Sequence, residues 1–153
     1  RRSSSAASDV YKRQKQRRLV ENLVNWCYNR LTPRHRTIHV NVELTTDIPI
    51  DGECSRGGER NEFDIIVYKK LKDDDFITTI LHEMVHVMQY ATGKMKDLNN
   101  QGSTVYWRGY NYSNYEYRRQ PWERQAYRLQ EILLREWKKY VGSNKCCRCV
   151  SST

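Results

Sequence analysis

Two histidines four positions apart, with a glutamate after the first, stand in the run His82-Glu83-Met84-Val85-His86. On a helix, positions i and i+4 stack on one face, so both imidazoles can point at a single metal ion. Glu83 leaves the helix axis about 100° further round, within reach of a water bound to that ion. Two neutral imidazoles, an open coordination position and a carboxylate able to take a proton are the parts of a zinc centre that makes water reactive. Shuffling a chain of this composition would produce the pattern in about half a percent of cases, so chance is a weak explanation.

The surroundings supply the helix that such a pair needs. Ile77, Ile80, Leu81, Met84, Val85 and Met88 recur at helical spacing through the motif. Asp73, Asp74 and Asp75 are expected to provide its cap and a negative first turn, and Gly93 its stop. A catalytic zinc usually has three protein ligands, so a third donor must come from elsewhere. Glu123 is the leading candidate. It falls in the first turn of a helix opened by Pro121, beside Trp122, and the small Ala126 three positions on would let two helices approach closely. Glu116, Glu131 and Asp97 are the alternatives, and the helix dipole alone also favours an acid at position 123. His35 and His39 are the remaining histidines and read more simply as solvated residues of a strand face.

In chain order, residues 15–31 read as an amphipathic helix with Leu19, Val20, Leu23, Val24, Cys27 and Leu31 on one side, ended by Pro33. Residues 37–44 alternate as a strand, with Ile38, Val40, Val42 and Leu44 on one face. Residues 51–60, rich in Gly and charge, are expected to be a turn or exposed loop. A second strand is expected over 61–69, just before the motif helix. Around Gly109, the aromatic run Tyr106, Trp107, Tyr110, Tyr112, Tyr115 and Tyr117 suggests a hairpin or ordered loop, either covering the cleft or packing on the sheet. A long helix follows from Pro121 through Tyr140, with Ala126, Leu129, Ile132, Leu133 and Trp137 as its apolar stripe.

At 153 residues the chain suffices for one domain with a modest core. Residues 4–14 resemble the in-frame translation of a transposase-type sequencing adapter, so residues 1–14 are expected to be non-native and the natural start to be missing. Without them the formal net charge falls from +9 to +6, with 23 basic and 17 acidic residues. The domain is then expected over 15–141, with 142–153 as a frayed tail. Cys146, Cys147 and Cys149 in that tail lack a second cluster for a closed four-ligand site. Five cysteines are an odd count with no paired framework, which favours a reducing, cytoplasmic setting. No apolar run approaches the ~20 residues of a membrane span.

The motif followed by a downstream helical Glu resembles the gluzincin class of zinc metallopeptidases. Trp107-Arg108-Gly109 leading into Pro121-Trp122-Glu123-x-x-Ala126 is similar to small metallopeptidase domains of phage and environmental genomes, and the ImmA/IrrE and SprT-like groups are comparable miniature families. The resemblance spans roughly residues 61–140. It implies an α+β, zincin-like fold: a small antiparallel or mixed sheet packed against an active-site helix carrying the motif, with a second helix carrying the Glu ligand. It implies Zn²⁺ held by His82, His86 and Glu123, Glu83 as general base, and a tyrosine (Tyr117 or Tyr115) stabilising the oxyanion. It also implies a peptide substrate, paired along strand 61–69 if that strand is a sheet edge. SprT-like proteins generally use a third His, and no His follows His86, which favours the Glu-ligand class. The rival expectations are nucleic-acid association, through Arg118, Arg119, Arg124, Arg128 and Arg135, and a catalytically silent zinc scaffold.

Overall fold

A computed structural model of the protein describes residues 3–32, 37–97 and 104–149. The chain is α+β. Helix α1 (Ser3–Leu31) leads into strands β1 (His39–Thr45), β2 (Gly52–Arg56) and β3 (Glu62–Tyr68), then helix α2 (Asp73–Ala91). Three short strands follow: β4 (Met95–Asp97), β5 (Val105–Trp107) and β6 (Tyr110–Asn111). A 3₁₀ turn over Tyr117–Arg119 precedes the last helix, α3 (Pro121–Cys149).

The core forms where apolar faces with matching periodicity meet. Strand β3 buries Phe63, Ile65 and Val67, every second residue, against α2. Helix α2 is buried along nearly its whole second half, Ile80 to Gln89, because the sheet, α1 and α3 all lie against it. Helix α1 contributes Val20, Leu23 and Cys27, and α3 contributes Ala126, Leu133 and Trp137. Trp26 meets Trp137 edge-on at 5.4 Å between ring centroids, and Arg30 grips the Glu136 carboxylate with two nitrogens at 2.7 and 3.1 Å. Burial pushes the Cys27 thiol up to about 12, so it serves as an apolar core residue.

The first sheet is mixed, in the order β1-β3-β2, with β1 parallel and β2 antiparallel to β3. Two expectations are corrected here. The segment 51–60 is not all loop, because Gly52–Arg56 pairs with β3. Its residues (Gly, Glu, Cys, Ser, Arg) carry little apolar alternation, since one side of the strand faces solvent and only Cys54 packs against the core. In consequence β3 is the central strand and has no free edge, so residues 61–69 cannot take a substrate strand; the edge beside α2 belongs to β2.

Other boundaries also differ. Helix α1 begins at Ser3, twelve residues before the expected start, although residues 11–15 are all exposed and Val20 is the first buried core residue. Its end at Leu31 agrees with the pattern, and Thr32 closes it through its backbone N–H and hydroxyl, both donating to the Tyr28 carbonyl at 2.9 and 2.8 Å. Pro33 and His35 lie outside the described residues, and His39 is exposed on β1 as expected of a solvated face. The cap position of α2 belongs to Lys72, which makes no side-chain cap bond. The three aspartates occupy the first turn itself, where they complement the helix dipole. Gly93 (φ 71°) follows the last turn as a stop. Helix α3 continues past the expected tail boundary to Cys149. Among the described residues no helix is long and apolar enough to cross a membrane.

The aromatic run forms the expected hairpin. Strands β5 and β6 pair through a two-residue turn in which Arg108 (φ 50°) and Gly109 (φ 90°) both take left-handed backbone. Strand β4, unforeseen, adds to β5. Met95, Trp107 and Trp122 make a second small core there, which seats the start of α3.

Replacing Trp137 with Ala should cost about 3–5 kcal/mol, because it empties the α1–α3 contact. Urea unfolding followed by circular dichroism would measure the loss, and a change below about 1 kcal/mol would contradict this packing.

Candidate metal centre

Helix α2 delivers His82 and His86 to its α3-facing side because they are one turn apart, and α3 delivers Glu123 from its first turn. The close approach is possible where Ala126 is wholly buried at the contact. The three side chains form a buried cluster whose donor atoms lie within 4.8 Å of one another. His82 Nε2 and His86 Nε2 are 3.1 Å apart. They lie 3.2 and 3.3 Å from Glu123 Oε2 and Oε1 respectively.

These distances test whether a metal fits. Tetrahedral coordination at ~2.0–2.1 Å places neighbouring donors about 3.3–3.4 Å apart, close to what is found. The protonation pattern agrees. Gln89 donates its amide to the Trp122 carbonyl (3.0 Å) and to Gln125 Oε1 (3.1 Å), which turns its own oxygen toward His86. That oxygen accepts from His86 Nδ1 at 2.8 Å, and Gln130 Oε1 accepts from His82 Nδ1 at 2.8 Å. With both protons on Nδ1, both Nε2 lone pairs face the centre. Glu123 Oε2 adds a buried acceptor with no hydrogen-bond partner among the described residues. Three electron-rich atoms converge on a point that a cation would satisfy.

Electrostatics follow the same geometry. Burial alone would raise the Glu123 carboxyl, but where the imidazoles of His82 and His86 turn N–H groups toward it, they and the Tyr117 phenol outweigh burial and hold it at about 2, and a cation in the centre would replace those protons. Burial works against charge on His86, yet the carboxylates of Glu123 and Glu83 raise its proton affinity. Burial raises the Glu83 carboxyl, partly offset by the two histidines.

Glu83 and His82 open onto a cleft of about 630 Å³ bounded by Gly52 of β2, Thr78 and Thr79 of α2, and Tyr117, Tyr127 and Gln130. Gly52 is small for a reason: a Cβ there would stand 2.6 Å from Thr79 Cγ2 and 3.2 Å from Glu83 Oε1. Of the residues expected from sequence, His82, Glu83, His86, Glu123 and Tyr117 come together. Tyr115 does not: it is half exposed, packs edge-on against Tyr112 at 4.9 Å and is not part of the cleft wall. Glu116 and Glu131 are exposed, and Asp97 lies in another cleft. The pattern missed Gln89, Gln130 and Tyr127, whose ring sits 4.9 Å from that of His82. Helical spacing held the signal, since Gln89 follows His86 by three positions, and Tyr127 and Gln130 follow Glu123 by four and seven.

Fold and site together define an α+β chain with a buried two-histidine, one-glutamate cluster able to hold a metal ion. Comparison with protein-family models, curated proteins and solved structures gave no match.

With Zn²⁺ as the probe ion, changing Gln89 to Leu should weaken metal binding roughly 10- to 100-fold while the helical circular dichroism signal persists. Competition with a chromophoric chelator would read the affinity, and an unchanged value would remove Gln89 from the support of His86.

Proposed function

We propose that this protein is a zinc-dependent peptidase of zincin-like, gluzincin-type architecture. The observation that carries the reading is the trio of mutually close donors at 3.1–3.3 Å, one of which, His82, lines a cleft together with Glu83. His82, His86 and Glu123 would hold the ion, which supplies Lewis acidity for a water and for a substrate carbonyl. Glu83 takes the proton of the attacking water and returns it to the leaving amine. Its burial, which raises the carboxyl above the usual range, suits a group that must both accept and release a proton. Tyr117, half exposed at the cleft and beside Glu123, is positioned to donate its phenolic hydrogen to the developing oxyanion.

Strand β2 offers the means of holding an extended peptide. Tyr68 N–H donates to the Asp51 carbonyl and Gly57 N–H to the Glu62 carbonyl, so the odd-numbered residues from 51 to 57 face β3. By antiparallel alternation, Gly52, Cys54 and Arg56 turn their backbone groups to the open edge. A substrate strand paired there begins beside Glu83. A second reading, nucleic-acid association, has in its favour the exposure of Arg118, Arg119, Arg124, Arg128 and Arg135. Duplex-DNA binding that weakens steeply with salt would support it.

Glu83→Gln should keep bound zinc and lower peptide hydrolysis by about 10²–10⁴-fold. Metal analysis and a peptide-mixture digest read by mass spectrometry test both halves together. Full activity would exclude Glu83 as the base, and inactivity of the zinc-loaded native chain on every peptide would leave a non-catalytic zinc domain. Gly52→Val should likewise retain zinc but lose hydrolysis, because its side chain would displace the Glu83 carboxylate.

A further inference from the structure

The edge strand that starts at the metal cleft ends at a second one. Arg56, the last residue of β2, lines a cleft of about 520 Å³ with Arg60, Phe63, Tyr90, Lys96 and Asp97. Side chains at 52, 54 and 56 share the face of β2 that lies along α2. Gly52 abuts Thr79 and Glu83, and Arg56 lines the same cleft as Tyr90 of α2. The strand and the helix thus give two independent rulers between the clefts. The four residue steps from 52 to 56 along the strand span about 13 Å, and the seven helical steps from Glu83 to Tyr90 span about 10.5 Å. Either length corresponds to roughly three to four residues of extended peptide. Arg56, Arg60 and Lys96 are exposed, and none of them forms an ion pair among the described residues.

We propose that Arg56, Arg60 and Lys96 form a subsite selecting an acidic side chain three to four positions from the bond cleaved, on an extended peptide paired to β2. The proposal rests on the peptidase reading for the position of the cleaved bond, but not for the binding itself. Charge complementarity identifies the occupant as acidic. Continuity with the open backbone groups of Gly52, Cys54 and Arg56 identifies it as a polypeptide, since those groups hydrogen-bond a peptide backbone in register. A nucleic acid fits less well: among the described residues three cations line the cleft, and Asp97 shares the wall. The function of the site thereby narrows from peptides in general to peptides or unfolded segments carrying a carboxylate at a fixed distance.

The test uses the zinc-loaded full chain and two fluorescent dodecapeptides that differ only in a Glu-Glu or Gln-Gln pair near one end, each made in both chain directions. In one direction, the Glu-Glu peptide should bind about fivefold more tightly than its Gln-Gln partner by anisotropy at low salt. It should also be cleaved three to four residues from the acidic pair. The variant R56Q/R60Q/K96Q should abolish that difference while leaving the zinc content and the circular dichroism spectrum unchanged. Equal binding of the two peptides in both directions would overturn the subsite, as would an advantage that survives the triple substitution. Displacement by a single-stranded oligonucleotide at lower concentration than by unlabelled Glu-Glu peptide would also overturn it, assigning the cleft to phosphates. Selective binding without cleavage of either peptide would uphold the subsite and reject the peptidase reading.

Discussion

The structure depends on keeping three polar donors in a dry place without letting them repel. His82, His86 and Glu123 are each less than a tenth exposed, and two of their lone pairs face each other at 3.1 Å. Burying a carboxylate without compensation is costly, and a buried acceptor without a partner costs about 1–3 kcal/mol. Hydrogen bonds from within the protein compensate only the outward sides of the imidazoles, through Gln89 and Gln130. The inward sides face one another and the Glu123 carboxylate, an arrangement that a cation would satisfy.

The rest of the fold can be read as the means of holding α2 and α3 in that relation. Helix α2 is clasped by the first sheet on one side and by α1 and α3 on the others. The hairpin and β4 bury Trp107 against Trp122, one residue before Glu123. Gln89 ties the same place from inside, bonding the Trp122 carbonyl as well as His86. A single buried amide therefore fixes a histidine and the turn that carries the carboxylate, and the register between the two helices is set at the site itself.

Much of this was legible in the order of residues, for physical reasons that differ from element to element. The helix through His82 and His86 announced itself because its apolar positions recur with the helical repeat, and it is buried on several sides. Glu123 was legible because Pro121 marks the start of α3 and Ala126 the place of closest approach. The hairpin was legible from Gly109, which allows left-handed backbone in the tight turn. Strand β2 was not, since an edge strand with one solvated face has little need of apolar residues, and that concealed the central place of β3. Tyr115 could not be told from Tyr117 because both lie in the same aromatic run. Only the 3₁₀ turn at Tyr117–Arg119 decides which one reaches the cleft.

The choice of glutamine, rather than an acid, behind each imidazole has an electrical consequence. A divalent ion held there would bring two positive charges into the interior, and the carboxylates of Glu123 and Glu83 would return two negative ones. The amides of Gln89 and Gln130 add none, so the filled centre is neutral overall while Glu83 is ionised. A proton taken up from solution by Glu83 would leave one surplus positive charge, whereas one taken from a water inside the centre leaves the total unchanged. An aspartate or glutamate behind either ring would tip that balance and favour the proton staying on Glu83. On the peptidase reading, the neutral backing would keep the Glu83 carboxylate able to release its proton.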